Sequence, residues 1–106
     1  MGTHDLMRYF FGGFVRLHIL HHADKQAICG IEMMEELKRH GYNLGPGTLY
    51  PILHHLEKSK YLVREDQVVG GKRRKNYRIT KNGRKLLAEA QQKLRELFSE
   101  VVEDHH

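Results

Sequence analysis

The sequence predicts a mainly α-helical fold with a minor β component, arranged as a winged helix-turn-helix with a two-stranded β-wing and a long C-terminal helix. Three observations support this class. Two amphipathic segments are joined by a short turn rich in glycine and proline, which is typical of a helix-turn-helix. A basic hairpin pattern centred on Gly70-Gly71 follows them. The C-terminal segment then carries apolar residues at helical spacing over a length that exceeds a small domain.

Composition limits the classes of protein to consider. The chain has 106 residues, of which 40% are hydrophobic, and this suffices for one compact domain. Its formal net charge of +5 at pH 7 favours polyanionic partners without separating DNA from RNA or acidic lipid. Cys29 is the only cysteine, so an intrachain disulfide is excluded and a reducing, cytoplasmic location is predicted.

The two chain ends add little. The first residues lack the pattern of a signal peptide, and no run approaches the roughly 20 apolar residues of a membrane span, so no membrane partner is expected. His105 and His106 fit both native residues and the remnant of a purification tag. No role is assigned to them.

Two helices are predicted before the glycine- and proline-containing turn. Apolar residues at helical spacing predict the first helix from Asp5, as its N-cap, to about His22. The second helix ends where Gly41 offers a left-handed cap. Its apolar stripe consists of Ile28, Ile31, Met34 and Leu37.

The third helix is predicted from Gly47 to about Lys60, with Pro51 near its start, where the missing N–H of a proline costs little. Its apolar stripe consists of Leu49, Ile52, Leu53 and Leu56. The opposite face is the candidate surface for reading the major groove of DNA. The side chains predicted to contact DNA from this helix are Thr48, Tyr50, Pro51, His54, His55 and Lys58.

A β-hairpin is predicted after the third helix. Two β-prone runs, 61–69 and 72–80, are separated by Gly70-Gly71, which suits a two-residue primed turn. That turn pairs Leu62 with Ile79, Arg64 with Tyr77, and Asp66 with Lys75. Cations at and just after the tip are expected to reach phosphates or a narrow minor groove. They are Lys72, Arg73, Arg74 and Lys75.

A final helix, capped by Thr80, is predicted from Lys81 to about Glu103. At about 35 Å this helix is longer than a small domain is wide, so its apolar stripe is expected to pack on a second copy of the chain. The predicted dimerisation residues are Leu87, Ala90, Leu94, Leu97, Phe98 and Val101. The chain thus divides into a winged helix-turn-helix DNA-binding domain with its N-terminal helix at 1–80 and a dimerisation helix at 81–106.

Two motifs resemble the PadR family of bacterial and archaeal transcriptional regulators: Gly47-Thr48-Leu49-Tyr50-Pro51, and Arg74-Lys75-Asn76-Tyr77-Arg78-Ile79-Thr80 followed by Gly83-Arg84. The resemblance implies a homodimeric repressor, dimerised mainly through its C-terminal helix with help from the first helix, on an inverted-repeat operator in double-stranded DNA. In related members a small-molecule effector is sensed at the dimer interface. His54-His55 stands where the family often has Lys or Arg, and Asn76 where it often has an aromatic residue, so operator preference does not transfer.

Two alternative interpretations stay open. His18 and His22 stand one helical turn apart, a spacing at which two imidazoles can share an ion, so the chain is alternatively a metal-responsive regulator with histidine ligands. It is alternatively a winged-helix module that binds protein, although such a module has no need of a basic wing. No cofactor is predicted. No nucleophile motif, phosphate loop or carboxylate pair indicates an enzyme.

Overall fold

The computed structural model describes residues 3–103; Met1, Gly2 and residues 104–106, which include His105 and His106, lie outside this part. The helices are α1 (Thr3–Lys25), α2 (Gly30–Arg39), α3 (Pro46–Lys58) and α4 (Lys81–Leu97), and a π-helical turn at Phe98–Val102 follows α4. The strands are β1 (Ile28–Cys29), β2 (Leu62–Val69) and β3 (Lys72–Ile79). They form a three-stranded antiparallel sheet in the order β1-β3-β2. The predicted class, mainly α-helical with a minor β component, is confirmed.

The β2–β3 hairpin has the predicted register. Leu62 lies opposite Ile79, Arg64 opposite Tyr77, and Asp66 opposite Lys75. The φ angles of Gly70 and Gly71 are 57° and 77°, and positive values at both central positions are what the type I′ primed turn requires. The predicted wing therefore has the predicted turn.

Strand β1 was not predicted. Ile28 pairs with Tyr77 and Cys29 with Asn76, so assigning Ile28 to the second helix was wrong. α2 begins at Gly30 and buries Met33 and Leu37, whereas Ile31 remains 63% exposed. A strand of two residues has no periodicity to detect. Because Ile28 was counted as part of the helix, the apolar stripe was predicted on a neighbouring face of α2, which included Ile31.

Two helix starts differ from the predicted bounds. α1 begins at Thr3 and ends at Lys25, so Asp5 lies in its first turn instead of capping it; an acid there still interacts favourably with the helix dipole. α3 begins at Pro46, after Gly45 in an extended conformation, and Pro51 lies one turn further into the helix.

The left-handed cap predicted for α2 is confirmed. Gly41 has a φ of 91° and its N–H donates to the Lys38 carbonyl at 3.0 Å, while the Tyr42 N–H donates to the Leu37 carbonyl at 2.9 Å. This pair of bonds is the Schellman motif. It fixes the direction in which His40, the C-cap residue of α2, leaves the helix.

The core lies where α1, α2 and α3 meet the inner face of the sheet. Its largest fully buried side chains are Tyr77, Ile19, Leu20, Met33, Leu37, Leu49, Leu53 and Leu62. α4 joins this core through Leu87, which is 6% exposed. A Cβ on Gly83 would collide with the Tyr61 carbonyl oxygen and approach the Ile79 side chain at 2.6 Å, so glycine lets the start of α4 approach the sheet closely.

The C-terminal helix starts as predicted and changes from an α-helix to a π-helix in its last turn. The Thr80 hydroxyl accepts a hydrogen bond from the Gly83 N–H at 3.0 Å, which confirms its capping role. The α-helix stops at Leu97, and the following π-helical turn is closed by the Glu103 N–H, which donates to the Phe98 carbonyl at 3.0 Å. The helical segment ends at Val102, in agreement with the predicted end near Glu103, but its last turn is π-helical, and this wider turn shifts the register of the last apolar residues. Within residues 3–103 no helix is long and apolar enough to cross a membrane.

Candidate nucleic-acid interface

The outer face of α3 is presented to solvent as its periodicity requires. Leu49, Leu53 and Leu56 are buried, and this fixes which face of the helix points outward. Of the side chains predicted to contact DNA from this helix, the exposed ones are Thr48, Pro51, His54, His55 and Lys58. α3 therefore offers one polar, largely unobstructed face.

Tyr50 differs from these neighbours because it is only half exposed. Its ring lies over Gly30, where an added Cβ would sit 2.5 Å from the Tyr50 hydroxyl oxygen and 2.7 Å from Cζ. The centroid of the same ring is 6.3 Å from that of His54. Gly30 thus leaves the space that Tyr50 occupies between α2 and α3, a role that the sequence did not reveal.

Among the described residues, three cations at the wing tip have no ion-pair partner. Lys72, Arg73 and Lys75 are exposed, and none of them forms an ion pair with the part of the chain that the structure describes. Because side chains alternate along a strand, Arg73 and Lys75 lie on the face of the sheet that carries Tyr77. Lys72 lies on the opposite face.

The structure places Arg74, the fourth predicted cation, differently. Its Nη2 atom lies 2.8 Å from the Cys29 sulfur and 3.2 Å from Oε1 of Glu32. Hydrogen bonds from Cys29, with a contribution from the Arg74 charge, lower the pKa of Glu32. Arg74 therefore ties the wing to the start of α2, and it is not free in the way that the other three cations are.

Cations nearer the base of the wing are paired with acids. Arg64 lies 3.9 Å from Glu57 and 3.7 Å from Asp66, and Arg78 lies 3.3 Å from Glu65. Such pairs contribute little to stability at an exposed surface, but they neutralise local charge. The unbalanced positive charge of the hairpin is consequently concentrated at its tip.

The wing and α3 meet at one surface cavity of about 320 Å³. Tyr50 from α3, Arg73 and Lys75 from β3, and Gly30 at the start of α2 all line it. Through Tyr50, Arg73 and Lys75, this cavity brings α3 and the wing next to each other. Together, the exposed α3 residues named above with Lys72, Arg73 and Lys75 are called the α3–wing surface below.

A second exposed surface is apolar and lies between the N-terminal half of α1 and the end of α4. Of the predicted dimerisation residues, Leu87 is buried in its own core and Ala90 is half-buried, whereas Leu94, Leu97, Phe98 and Val101 are exposed. The exposed apolar side chains of this α1–α4 surface are Leu6, Met7, Phe10, Leu94, Leu97, Phe98, Val101 and Val102. A groove of about 450 Å³ runs between the two helices.

A histidine cluster lies where α1 meets the end of α2. The predicted pair His18 and His22 is joined by His40, and the ligand atoms of all three lie within 4.8 Å of one another. Burial, followed by repulsion from His40, lowers the pKa of His18; burial also lowers the pKa of His22, against the opposing charge of Glu36. Sequence spacing located the α1 pair but could not locate His40, which reaches it only because α1 packs on the end of α2.

The family model described as the transcriptional regulator PadR-like family matches residues 19–89. The chain belongs to this family. It is a transcriptional regulator with a winged-helix DNA-binding fold, and the predicted family is confirmed.

Individual relatives agree with the family. The transcriptional regulator Rv3488 of Mycobacterium tuberculosis is 50% identical over 96 residues, which cover 91% of this chain and 90% of that protein. A PadR-like transcriptional regulator from Bacillus cereus superposes with a TM-score of 0.81 at 26% identity, over 88% of this chain and 92% of the other. A PadR-like transcription factor from Bacteroides fragilis gives 0.80 at 26% identity, over 92% and 95%. Because these proteins are regulators, membership of the PadR-like family also confirms that the chain is not an enzyme.

Proposed function

We propose that this PadR-like regulator is a repressor that binds an inverted-repeat operator in double-stranded DNA as a homodimer in the cytoplasm. The observation that carries the proposal is the α3–wing surface, in which a helix with an exposed polar face adjoins the wing through Tyr50, Arg73 and Lys75. A recognition helix beside a cationic wing matches the shape and charge of duplex DNA.

In the proposed complex α3 enters the major groove. His54, His55 and Lys58 project from its exposed face, and Thr48 lies in its first turn, where backbone N–H groups and the helix dipole favour a phosphate. Pro51 contributes an apolar contact, since it has no donor of its own. Tyr50 is assigned two tasks, to support His54 from beside Gly30 and to present its hydroxyl at the edge of the surface.

The wing is proposed to contact the phosphate backbone. Lys72, Arg73 and Lys75 provide the long cationic side chains that neutralise phosphates. Arg74 is proposed to orient the wing through Glu32 and Cys29 in the free protein, which changes the role predicted for it. Base preference then comes from α3, and affinity without preference comes from the wing.

Dimerisation is proposed to bury the α1–α4 surface. Single exposed apolar residues are ordinary on a protein surface, but a contiguous group that includes Phe10, Leu97 and Phe98 marks an interaction site. A second copy related by a two-fold axis covers the same patch on both chains. In this scheme residues 81–106 supply most of the interface and residues 1–80 contact the operator.

Two-fold symmetry gives the proposed operator its form. The two copies of α3 would read half-sites about 34–36 Å apart, or a multiple of that distance. The groove between α1 and α4 is lined by residues of the proposed interface, so a small-molecule effector bound there would alter the spacing of the two α3 helices. An apolar or aromatic effector fits the lining residues Phe14, Leu94 and Phe98.

The experiment is selection of DNA fragments from a random duplex pool, followed by sedimentation of the purified complex and transcription from a promoter that contains the selected sequence. We expect a palindromic sequence, two chains per duplex and reduced transcription. Raised transcription would overturn the repressor role alone. The absence of any enriched sequence, together with a folded protein in solution, would overturn the proposal and favour a winged helix that binds protein.

A further inference from the structure

The histidine cluster has no role in the proposed DNA complex. His18 and His22 occupy successive turns of α1, and His40 comes from the C-cap of α2. The ring centroids of His18 and His40 are 4.4 Å apart with nearly parallel planes, and those of His22 and His40 are 5.6 Å apart. Three imidazoles from two different elements therefore converge on one point.

One atom of this cluster is an uncompensated polar group. Nε2 of His22 is buried, and within residues 3–103 it has no hydrogen-bond partner. Burying a polar nitrogen without a partner costs free energy. A fourth potential metal ligand lies beside it, because Oε2 of Glu36 is 4.0 Å from His22 Nε2. The orphaned nitrogen points to a ligand that completes the set.

From this geometry we propose that His18, His22 and His40 bind a divalent transition-metal ion, with Glu36 or a water molecule as the fourth ligand. Imidazole nitrogens with one carboxylate suit ions such as Zn²⁺ and Co²⁺ in tetrahedral coordination. Ca²⁺ and Mg²⁺, which require oxygen ligands, are not suited to the site.

The distances require a small adjustment for binding. Zinc–nitrogen bonds of about 2.0–2.1 Å place the ligand atoms of a tetrahedral site about 3.3 Å apart. In this structure the distances between the three imidazole ligand atoms are up to 4.8 Å. His40 is exposed at the end of a helix, so its side chain is free to turn inward. Glu36 already has a second contact, accepting from Arg39 Nη1 at 2.7 Å, which holds its carboxylate on the same side.

The position of the proposed ion links two helices of the fold. It would join α1, part of the α1–α4 surface, to the end of α2 immediately before the turn that leads into α3. Metal binding would then stabilise the folded chain in proportion to the ion's affinity and concentration. If Zn²⁺ changes operator affinity, the operator changes Zn²⁺ affinity by the same factor; this regulatory consequence rests on the proposed function, whereas the site itself does not.

The test uses full-length chain with His105 and His106 replaced by alanine, so that a remnant of a tag cannot bind the ion. Zn²⁺ affinity is measured by competition with a chromophoric chelator, and Co²⁺ absorption reports the coordination geometry. His18→Asn and His40→Asn change ligands outside the deep core. The double variant His54→Asn, His55→Asn is the matched control, since it removes two exposed histidines of α3.

We expect one ion per chain with a tetrahedral Co²⁺ spectrum in the parent and in the control. Either ligand variant should weaken Zn²⁺ binding by at least about 100-fold, because even outer-shell partners of metal ligands contribute about 10- to 100-fold. Circular dichroism and the melting temperature of the metal-free variants verify folding, and Zn²⁺ should raise the melting temperature of the parent and of the control but not that of either ligand variant.

Equal Zn²⁺ affinity in the parent and both ligand variants would overturn the site, as would failure of the parent to compete with the chelator. In that case the cluster is a set of stacked imidazoles that holds no metal ion. Operator affinity measured with and without Zn²⁺ separates the remaining outcomes. No zinc effect on the parent's operator affinity would overturn the regulatory consequence and leave the site standing, and failure of the metal-free parent to bind any DNA would count against the proposed function alone.

Discussion

The α3–wing surface and the α1–α4 surface both expose large side chains, yet their chemistry is opposite. The first presents imidazoles, an ammonium on α3 and three unpaired cations on the wing. The second presents leucine, phenylalanine and valine side chains, with Leu97 and Phe98 each about half exposed. A polyanion fits only the first surface and a second apolar face fits only the second.

This difference teaches how the two surfaces can be separated by experiment. Contacts between cations and phosphates weaken steeply as salt rises, because binding releases counterions from DNA. Apolar burial responds far less to salt, and large parts of an interface depend on a few central side chains. Substitutions on one surface should therefore change the salt dependence, and substitutions on the other should change the number of chains in the complex.

The largest effect is expected from Phe98→Asp on the α1–α4 surface. Phe98 lines the groove between α1 and the end of α4 and is 52% exposed in the single chain. A two-fold axis places two new carboxylates in the apolar interface, and burying an unpaired charge costs several kcal/mol. We expect monomers in sedimentation experiments and an operator affinity reduced by about 1000-fold, since two half-sites are then no longer read together.

Phe98→Leu is the matched control, because it keeps an apolar side chain of similar reach. It should remain a dimer with nearly unchanged operator affinity. A dimer that persists in Phe98→Asp would place the interface elsewhere on the chain, and the contrast between the two surfaces would lose its apolar half.

The next effect is expected from the double variant Arg73→Ala, Lys75→Ala on the wing. In the parent, three unpaired cations from each of two wings should give a slope on the order of −5 for log affinity against log salt. Removing two from each wing should bring the slope to about −2 and weaken operator and unrelated duplexes alike by about 100-fold at low salt. Binding isotherms at several salt concentrations measure both quantities.

Arg78→Ala is the control for the wing. Arg78 lies on the same strand but pairs with Glu65 at 3.3 Å, so its removal should leave the slope unchanged. A double variant with the parent's slope would show that the wing tip does not contact phosphates, and the assignment of charge to this surface would then fail.

A smaller effect is expected from Gly30→Ala, a substitution at the start of α2 that acts on α3 through the Tyr50 ring. The added Cβ would lie 2.5 Å from the Tyr50 hydroxyl oxygen, so the ring must swing away and its support of His54 is lost. We expect operator affinity to fall by about 10-fold, unfolding stability to fall by about 1–3 kcal/mol, and the dimer to persist. Gly13→Ala is the control, since nothing lies within 4 Å of that Cβ and alanine favours a helix.

Much of this fold followed from periodicity. The register of β2 and β3 was predictable because Gly70-Gly71 permits only a short primed turn and because a slip of one residue would move Leu62 to the wrong face. β1 was not predictable, since two residues carry no period, and its loss displaced the inferred stripe of α2. The π-helical turn after Leu97 has no sequence signal that we recognise.

The candidate site was predictable one residue at a time but not in its pairings. The outward face of α3 followed from the burial of Leu49 and Leu53. That Arg74 turns to Glu32 while Arg73 stays free depends on alternation along β3 and on the position of β1 beside it. The third histidine of the cluster depends on how two helices pack. Such contacts join residues far apart in sequence, and no local pattern encodes them.

The smallest effect is expected from the histidine cluster, which belongs to neither surface. Burial lowers the pKa of His18 and His22 in the folded chain, whereas in the unfolded chain both return to about 6.5. The unfolded state therefore takes up protons below about pH 6.5 that the folded state does not, and stability should fall as pH falls through that region. His21, His40 and Lys25 add to this trend, and the Glu36 carboxylate opposes it at His22.

Urea denaturation in the presence of a chelator, at pH 7.5 and at pH 5.5, measures this trend without any metal contribution. His18→Asn should flatten the dependence on pH, because it removes one of the two half-buried imidazoles whose pKa is lowered. The double variant His54→Asn, His55→Asn should keep the parent's dependence, since both residues are exposed on α3. If the α3 variant flattened the dependence of stability on pH instead, that dependence would come from the α3–wing surface, and the histidine cluster would make no contribution to it.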